Sequence, residues 1–325
     1  MKGNTMLNEL KYQVYRGKYN FGQHLNLKVP VDISLELSSA CNMKCGYCYH
    51  ADKANLPFKI GFMKTEIAKG IINEAATLGV NSMKFNWKGE STLNPAYTEI
   101  TTHAKKLARG SVFIDRLANS NFQIPINVRE DRFIGLAALT KVKISYDSFI
   151  ADVFEAQRYK GKHALITENI DMFYNHKERI KSETKMVIQA VRTLKNKDED
   201  IQHETKKRWP DAEISIRDMV AGRVEQDISE FENVERDFSE RQPCKQAFVR
   251  LIFNHEGNAL PCCPDIAEQL VVGSYPQNSV KMIFNSVKAQ RLRKDLKSGK
   301  AFENNPCKDC SSFETFKNHK GNWGS

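Results

Sequence analysis

Segments with the pattern of β-strands alternate with segments of helical periodicity from residue 31 to residue 217. Residues 31–37 alternate apolar and polar side chains, whereas residues 64–78 carry Ile67, Ile71 and Ala75 at helical spacing. The predicted strands are 31–37, 82–87, 112–117, 141–146, 185–192 and 212–217. The predicted helices are 64–78, 97–108, 131–138, 164–179 and 198–208. Six strands separated by helices predict an α/β fold with a parallel sheet and right-handed crossovers, either open or curved into a barrel.

Length and composition favour one main domain with smaller additions, since the chain has 325 residues and 41% of them are hydrophobic. The first residues lack the apolar run of a signal peptide, and no stretch approaches the roughly 20 apolar residues of a membrane span. We therefore expect a soluble, cytoplasmic protein with no membrane partner. In that reducing compartment, the eight cysteines are expected to bind metal or do chemistry rather than form disulfides.

The cysteines fall into two groups, which predicts two separate sites. Cys41, Cys45 and Cys48 lie in the loop after the first predicted strand, and the other five lie between residues 244 and 310. The working loops of parallel α/β folds are at the carboxyl ends of strands, where this first loop falls. Iron–sulfur clusters are normally held by four thiolates, so a group of three leaves one iron open to an outside ligand. A zinc site completed by His50 is the alternative.

The arrangement Cys41-x3-Cys45-x2-Cys48, with Tyr47 before the last cysteine and a strand before the first, resembles the radical S-adenosylmethionine superfamily. The resemblance implies a partial (β/α)6 barrel with parallel strands and a [4Fe-4S] cluster whose open iron binds S-adenosylmethionine. An electron from the reduced cluster would break the sulfur–C5′ bond, and the 5′-deoxyadenosyl radical would take hydrogen from a substrate. A non-enzymatic electron carrier is the alternative, and it would not cleave S-adenosylmethionine.

Lys88-Gly89-Glu90-Ser91 follows the second predicted strand and resembles the Gly-Gly-Glu-Pro segment of that superfamily, which holds the methionine amino group. Two of the four positions differ. The resemblance implies that Gly89, Glu90 and Ser91 contact the cofactor, through close backbone approach and a carboxylate acceptor. A Gly-Glu pair without the resemblance would predict only a turn.

Segments after the third and fourth predicted strands also resemble cofactor-binding motifs. Ser145 and Asp147, with Arg158 further along, resemble the Ser-x-Asp segment and the later Arg-Gly, which lie near the ribose and carboxylate of the cofactor. Asn119 opens a segment that more weakly resembles the Thr-Asn-Gly loop. Without the resemblance, Ser145 or Asp147 would cap a helix and Arg158 would form a surface ion pair.

The second group of cysteines resembles the SPASM and Twitch extensions of radical enzymes, through Cys244, the Gly257-x4-Cys262 spacing and the Cys307-x2-Cys310 pair. Full SPASM domains have seven or more cysteines, so the resemblance favours a Twitch-like arrangement. It implies one auxiliary [4Fe-4S] cluster on Cys244, Cys262, Cys307 and Cys310. A structural zinc ribbon is the alternative.

Cys263 adjoins Cys262, and neighbouring side chains in an extended segment point to opposite faces, so only one of the two is expected to face a cluster. The spacing from Gly257 selects Cys262. Gly257 adopts positive φ at little cost, so a turn at residues 255–258 would form a hairpin that brings Cys262 towards Cys244. Cys263 would then be a small buried hydrophobic residue.

These features predict four segments, with a small C-terminal cysteine-rich domain after the barrel. Residues 1–30 form an N-terminal extension, 31–220 the radical S-adenosylmethionine barrel, 221–243 a linker and 244–325 the auxiliary-cluster domain. Families with this extension include maturases of peptides, activators of sulfatases and dehydrogenases of sugar or aminocyclitol alcohols. The resemblance therefore favours a peptide or protein side chain as substrate, with a small metabolite as the alternative. It also implies a flavodoxin- or ferredoxin-type reductant.

The net charge of +10 is concentrated at the two ends of the chain, because residues 1–30 contribute +4 and residues 241–325 contribute +6. A basic run from Lys288 to Lys300 would attract a polyanion or form a solvated helix face. Aromatic residues near the N-terminus would stack on nucleic-acid bases or pack on the barrel; they are Tyr12, Tyr15, Tyr19 and Phe21. A nucleic-acid substrate is thus a third, less favoured class. No general base stands out among the candidates His50, Asp115, Arg192, Asp218 and Arg250.

Overall fold

A computed structural model describes residues 2–218, 244–308 and 310 of the chain. The helices in these ranges are α1 (Lys2–Asn20), α2 (Thr65–Thr77), α3 (Tyr97–Leu107), α4 (Arg129–Leu136), α5 (Ala151–Gln157), α6 (His163–Arg179), α7 (Ile201–Arg208), α8 (Gln246–Val249), α9 (Val280–Phe284) and α10 (Val287–Ser298). The strands are β1 (Asp32–Leu35), β2 (Lys44–Cys45), β3 (Ser82–Lys84), β4 (Asp115–Ser120), β5 (Lys141–Ser145), β6 (Arg158–Tyr159), β7 (Lys185–Arg192), β8 (Glu213–Asp218), β9 (Arg250–Phe253), β10 (Asn258–Leu260) and β11 (Gly273–Ser274). None of the described helices is both long and apolar enough to cross a membrane.

Nine of the described strands form one sheet in the order β11-β10-β9-β1-β3-β4-β5-β7-β8. From β1 to β8 the neighbours follow chain order and run parallel. This confirms the six predicted strands of a partial (β/α)6 barrel. Because all six are parallel, their carboxyl ends and the loops that follow lie on one side of the sheet.

Most predicted elements lie within three residues of the observed ones, and the departures have local causes. The third strand was predicted at 112–117 but occupies Asp115–Ser120, because Phe113 takes a positive φ of 49° in a turn before it. The fourth crossover also contains α5 and β6, which were not predicted. The N-terminal helix α1 was not predicted either.

The two faces of the parallel sheet carry different side chains. One face is apolar and packs with buried residues of the helices, as Ile33, Met83 and Ile144 do. Burying such side chains contributes about 1.5–3 kcal/mol each. The opposite face is here called the lumen face. Side chains alternate between the two faces along each strand, so every second residue points to this face. Its members include Asp32, Lys84, Asp115 and Lys143. The interior of the partial barrel is therefore polar.

The C-terminal region joins the same sheet. The strand β9 pairs in parallel with β1, with Asp32 opposite Arg250, and β9 and β10 form an antiparallel hairpin. The turn contains Gly257 at φ +91°, which confirms the predicted hairpin. The division into segments stays a prediction, and the predicted linker 221–243 lies outside the described residues.

The N-terminal helix α1 packs where the C-terminal region meets the sheet. Tyr15 and Tyr19 are buried in one cluster with Phe248 and Val249. The hydroxyl of Tyr19 also accepts a hydrogen bond of 2.7 Å from Arg250 Nη2. Tyr15 and Tyr19 therefore pack in the interior, which is the predicted alternative to stacking on nucleic-acid bases. Phe21 is exposed.

Candidate functional site

The first three cysteines lie in the loop after β1, as predicted. Cys45 is in the short strand β2, which pairs antiparallel with β6 and places Cys45 opposite Arg158. Cys45 is buried, whereas Cys41 and Cys48 are half-buried. The carbonyl of Cys41 accepts a hydrogen bond of 2.6 Å from Lys53 Nζ. The loop is thus held to the rest of the fold at its first and second cysteines.

Tyr47, Asp147 and Arg158 meet beside Cys45. Arg158 Nε lies 2.8 Å from Asp147 Oδ2, and its Nη2 donates to Oδ1 at 2.9 Å. Tyr47 donates to the same carboxylate at 2.6 Å, and Arg158 Nη1 lies 3.7 Å from Cys45 Sγ. Burial raises the pKa of the Cys45 thiol, and the positive charge of Arg158 opposes that rise. Three residues predicted at the cofactor therefore form one buried unit with a predicted cluster ligand.

The structure shows neither a surface ion pair at Arg158 nor a helix cap at Ser145 or Asp147. Arg158 is 6% exposed, so its ion pair is internal rather than on the surface. Asp147 accepts from the backbone N–H of Val191 at 2.9 Å, which ties the loop after β5 to β7. Ser145 is the last residue of β5, and its hydroxyl lies 3.4 Å from Asn119 Oδ1. Neither Ser145 nor Asp147 caps a helix.

Gly89 and Glu90 lie where the loop after β3 crosses the loop after β1. A Cβ at Gly89 would be 2.3 Å from the carbonyl oxygen of Ala40, so only glycine fits without movement of the backbone. The N–H of Glu90 donates to that same carbonyl at 2.8 Å. The close backbone approach predicted for this segment is therefore present.

The Glu90 carboxylate is buried and holds two neighbouring loops together. It accepts from the N–H and hydroxyl of Thr92, from the Ser120 hydroxyl, and from the N–H of Asn121 at 2.7 Å. Burial raises the pKa of Glu90, and these donors oppose the rise. Ser91 Oγ is buried and has no hydrogen-bond partner among the described residues, which leaves a polar group for a ligand.

Asn121 was not predicted as a site residue, although it is close to the first cluster loop. Its side-chain Nδ2 lies 3.9 Å from Cys41 Sγ and donates to Asn42 Oδ1 at 2.7 Å. Its backbone N–H binds Glu90. Asn121 lies in the segment after the third predicted strand, in which only Asn119 was predicted as a site residue. Its position directly after a strand was the sequence signal that could have identified it.

His50 contacts the loop after β3 and two aromatic rings. Its Nε2 lies 3.1 Å from the carbonyl oxygen of Lys88, and its ring packs against Tyr49 and Phe58. The Nε2 atom of His50 is therefore engaged with the backbone of the loop after β3. Within the described ranges, no three His, Cys, Asp or Glu side chains are grouped so as to hold a single metal ion.

Four cysteines of the second group line one apolar cavity. They are the four predicted ligands Cys244, Cys262, Cys307 and Cys310, and residues such as Leu270, Leu292 and Leu296 complete the walls. Cys263 does not line this cavity, and its carbonyl accepts a hydrogen bond of 2.9 Å from Trp87 Nε1. The selection of Cys262 over Cys263 stays a prediction, and the cavity agrees with it.

Both cysteine groups suit a metal cluster in their chemistry. Burial raises the pKa of Cys41 and of Cys244 to about 12, because neither thiolate has enough positive charge nearby to offset it. Positively charged irons would supply that charge and deprotonate the thiols. The donor sets therefore fit iron–sulfur clusters, three thiols at the first site and four at the second.

Three of the candidate general bases have partners outside the cysteine loop. Arg250 pairs with Asp32 at 2.7 Å, and Arg192 donates to the carbonyls of Asn196 and Glu199. Asp115 contacts the hydroxyls of Tyr15 and Thr140. The side chain of the fifth candidate, Asp218, lies outside the described part of the structure.

Comparisons with known proteins agree with this architecture. Residues 244–311 match the model of SPASM, an iron–sulfur cluster-binding domain. No curated protein matches the chain in sequence. Among solved structures, BtrN in complex with AdoMet and 2-DOIA is 16% identical, with 87% of this chain and 93% of that chain covered and a TM-score of 0.54.

Two further solved structures are similar. SuiB of Streptococcus suis bound to precursor peptide SuiA is 12% identical, with 84% of this chain and 69% of that chain covered and a TM-score of 0.63. The anSMEcpe structure with bound AdoMet and Cp18Cys peptide is 14% identical, with 88% of this chain and 87% of that chain covered and a TM-score of 0.56. The chain thus has the fold of radical S-adenosylmethionine enzymes and carries a C-terminal SPASM domain.

Proposed function

We propose that this protein is a radical S-adenosylmethionine enzyme whose first [4Fe-4S] cluster is held by Cys41, Cys45 and Cys48. The observation that carries the proposal is the meeting of Tyr47, Asp147 and Arg158 at Cys45. A structural metal knuckle has no need of a buried charged unit drawn from two other loops. A [4Fe-4S] cluster held by these three cysteines would supply the electron for reductive cleavage of S-adenosylmethionine, and with it the power to abstract hydrogen from a substrate.

The residues of the chain position the cofactor and keep water away from it. Gly89 lets the loop after β3 lie against the cysteine loop, where backbone groups would hold the methionine end. Glu90 fixes that loop to the segment after β4, so its carboxylate acts on the cofactor mainly through backbone position. Ser91, Asn119 and Ser145 are the polar groups proposed to contact the cofactor directly.

A second [4Fe-4S] cluster on Cys244, Cys262, Cys307 and Cys310 is the proposed auxiliary site. The cavity that these four thiols line is apolar, which suits a fully ligated cluster with no open iron. Such a cluster would carry an electron to or from the substrate radical or brace the pocket. We also propose a flavodoxin- or ferredoxin-type reductant and a cytoplasmic location, which agree with eight free cysteines.

A peptide or protein side chain is the proposed substrate. The similar folds of SuiB with precursor peptide SuiA and of anSMEcpe with Cp18Cys peptide support this class. A small metabolite is the second candidate, because BtrN with 2-DOIA shares the fold over 93% of its length. A nucleic-acid substrate is less favoured, since Tyr15 and Tyr19 are buried rather than available for stacking.

Anaerobic reconstitution tests the proposal. The protein should bind about eight irons per chain and, once reduced, convert S-adenosylmethionine to 5′-deoxyadenosine and methionine. Replacing Cys41, Cys45 and Cys48 by Ala should remove about half the iron and all cleavage, whereas Cys263→Ala should keep both. Cleavage that persists in the triple variant would refute the proposal. With a deuterated candidate peptide, transfer of deuterium into 5′-deoxyadenosine tests the substrate class.

A further inference from the structure

The helix α10 and the residues beside it carry an excess of positive charge that the helix itself does not require. Residues 280–300 contain seven basic residues and one acidic residue, Asp295. Like charges three and four residues apart destabilise a helix. The helix dipole favours cations only in the last turn, where Lys297 lies, whereas Lys288 is in the first turn. An outside anion therefore explains this charge better than the stability of the helix does.

One side of α10 presents cations and an apolar side chain to the surface. Val287, Arg291 and Lys294 follow at spacings of four and three residues, so they share one side of the helix, here called the α10 face. Val287 is 83% exposed, and Lys294 is exposed and forms no ion pair with the described residues. Arg291 lies 3.8 Å from Asp295, and its side chain is also 83% exposed. Such a face suits a protein of opposite charge.

The opposite side of α10 forms a wall of the auxiliary site. Leu292 and Leu296 line the same cavity as the four thiols. With 3.6 residues per turn, Val287 and Lys294 lie on the side of the helix away from these two leucines. A helix with its side chains is about 10–12 Å across, so one helix separates a partner on the α10 face from the four thiols.

We propose that the α10 face is the docking surface for an acidic protein that carries single electrons, of the flavodoxin or ferredoxin type. The inference rests on the proposed function, which places a second cluster behind this helix. Charge complementarity selects an acidic partner, and the thiol-lined cavity selects an electron carrier over a nucleic acid. One electron passes from the reduced carrier, which is oxidised, to the auxiliary cluster, which is reduced, and no bond is made or broken. Complexes of electron carriers bury less than about 1,200 Å² in total, so a small surface is sufficient.

Calorimetric titration of the reconstituted 325-residue chain with oxidised flavodoxin, an acidic carrier, measures docking without turnover. Binding should weaken as salt rises from about 0.05 to 0.5 M, because exposed charges are screened. Arg291→Glu combined with Lys294→Glu should weaken it by about tenfold to a hundredfold at low salt. The control combines Lys105→Glu with Lys106→Glu at the exposed end of α3, makes the same change in net charge, and should leave binding unchanged.

Two further measurements keep the test independent of folding and of turnover. Arg291→Gln combined with Lys294→Gln removes the charges without reversing them and should cause a smaller loss of binding. In the background with Cys41, Cys45 and Cys48 replaced by Ala, reduced flavodoxin should produce the electron paramagnetic resonance signal of the reduced auxiliary cluster. Charge reversal on the α10 face should slow this reduction by about tenfold or more, whereas excess dithionite should reduce both proteins to the same final extent.

Each outcome supports or overturns the docking surface. Equal flavodoxin binding by wild type and charge-reversed variant, or no binding by the wild type, overturns it. A DNA duplex that binds the wild type as tightly as flavodoxin, and not the variant, overturns the choice of partner, as does a dimer that only the wild type forms. Flavodoxin that binds without reducing the auxiliary cluster overturns the role in electron transfer. Docking and reduction in a protein that never cleaves S-adenosylmethionine refute the proposed function and leave the docking surface intact.

Discussion

The buried Lys88 forms an ion pair with the half-buried Glu268 and so joins the loop after β3 to the segment between β10 and β11. Lys88 occupies the first position of the Lys-Gly-Glu-Ser segment, and its Nζ also lies 3.6 Å from Glu36 Oε1. Glu268 accepts a further hydrogen bond of 2.7 Å from Asn254 Nδ2. The neighbouring Trp87 binds the carbonyl of Cys263. The proposed cofactor loop is thereby fastened to the SPASM domain.

Lys88→Met is expected to lower the free energy of unfolding by about 3–5 kcal/mol, because it leaves the buried Glu36 and the half-buried Glu268 without their cation. Urea unfolding under anaerobic conditions measures the change. The matched control is Lys59→Met, since Lys59 pairs with Glu256 at 3.5 Å and its side chain is 80% exposed. That surface pair should contribute at most about 1 kcal/mol. A Lys88 effect no larger than the Lys59 effect would contradict the role of the buried pair.

Gly89→Ala is expected to destabilise the protein by about 1–3 kcal/mol, because its Cβ would overlap the backbone of Ala40 and Ser38. The displaced loop should also bind S-adenosylmethionine more weakly while iron content is kept. Urea unfolding and equilibrium binding of the cofactor give the two values. Gly17→Ala is the control, since no atom lies within 4 Å of a Cβ at that position. Unchanged cofactor binding in Gly89→Ala would show that this loop is not at the cofactor.

Cys262→Ala is expected to lose or convert the auxiliary cluster, whereas Cys263→Ala keeps it, because only Cys262 lines the cavity of the four thiols. Both variants are prepared in the background with Cys41, Cys45 and Cys48 replaced by Ala. Iron content and electron paramagnetic resonance then report on the second site alone. Loss of iron in Cys263→Ala would mean that Cys263 rather than Cys262 is the ligand. If neither variant loses iron, the site is not this four-cysteine cluster.

Lys143→Met is expected to change how stability depends on pH. Burial lowers the pKa of Lys143 to about 7 in the folded protein, from near 10.4 in the unfolded chain. Between these values the unfolded chain binds more protons, so the stability of the wild type should rise with pH. The variant should lack this rise. At pH 7 its free energy of unfolding should exceed that of the wild type by up to about 4 kcal/mol.

Unfolding of wild type and variant across pH 7 to 10 in anion-poor buffer measures this dependence, and the exposed Lys106→Met serves as control. A variant that is less stable than the wild type at pH 7 would mean that Lys143 has a stabilising partner, which contradicts an unpaired cation.

The elements and the three cysteines of the first loop were predictable from the sequence because their signals are local. Apolar periodicity defined the six parallel strands and five of the helices between them to within three residues, whereas α1, α5 and β6 were not predicted. The spacing of Cys41, Cys45 and Cys48 lies within one loop, so its meaning does not depend on distant contacts. The same holds for Gly257, whose hairpin involves only neighbouring residues.

Contacts between distant segments were decided only by the tertiary structure. Asp32 meets Arg250, which is 218 residues away, and this pairing makes the C-terminal region part of the main sheet. In the sequence Lys88 is a departure from a motif. In the structure it pairs with Glu268, which is 180 residues away. Lys143 was an ordinary polar residue of a strand until folding of the sheet placed Arg217, Lys141 and Lys84 near it. Charge pairing and desolvation act through space, so a linear pattern gives the residues and their order, while packing decides which charges meet.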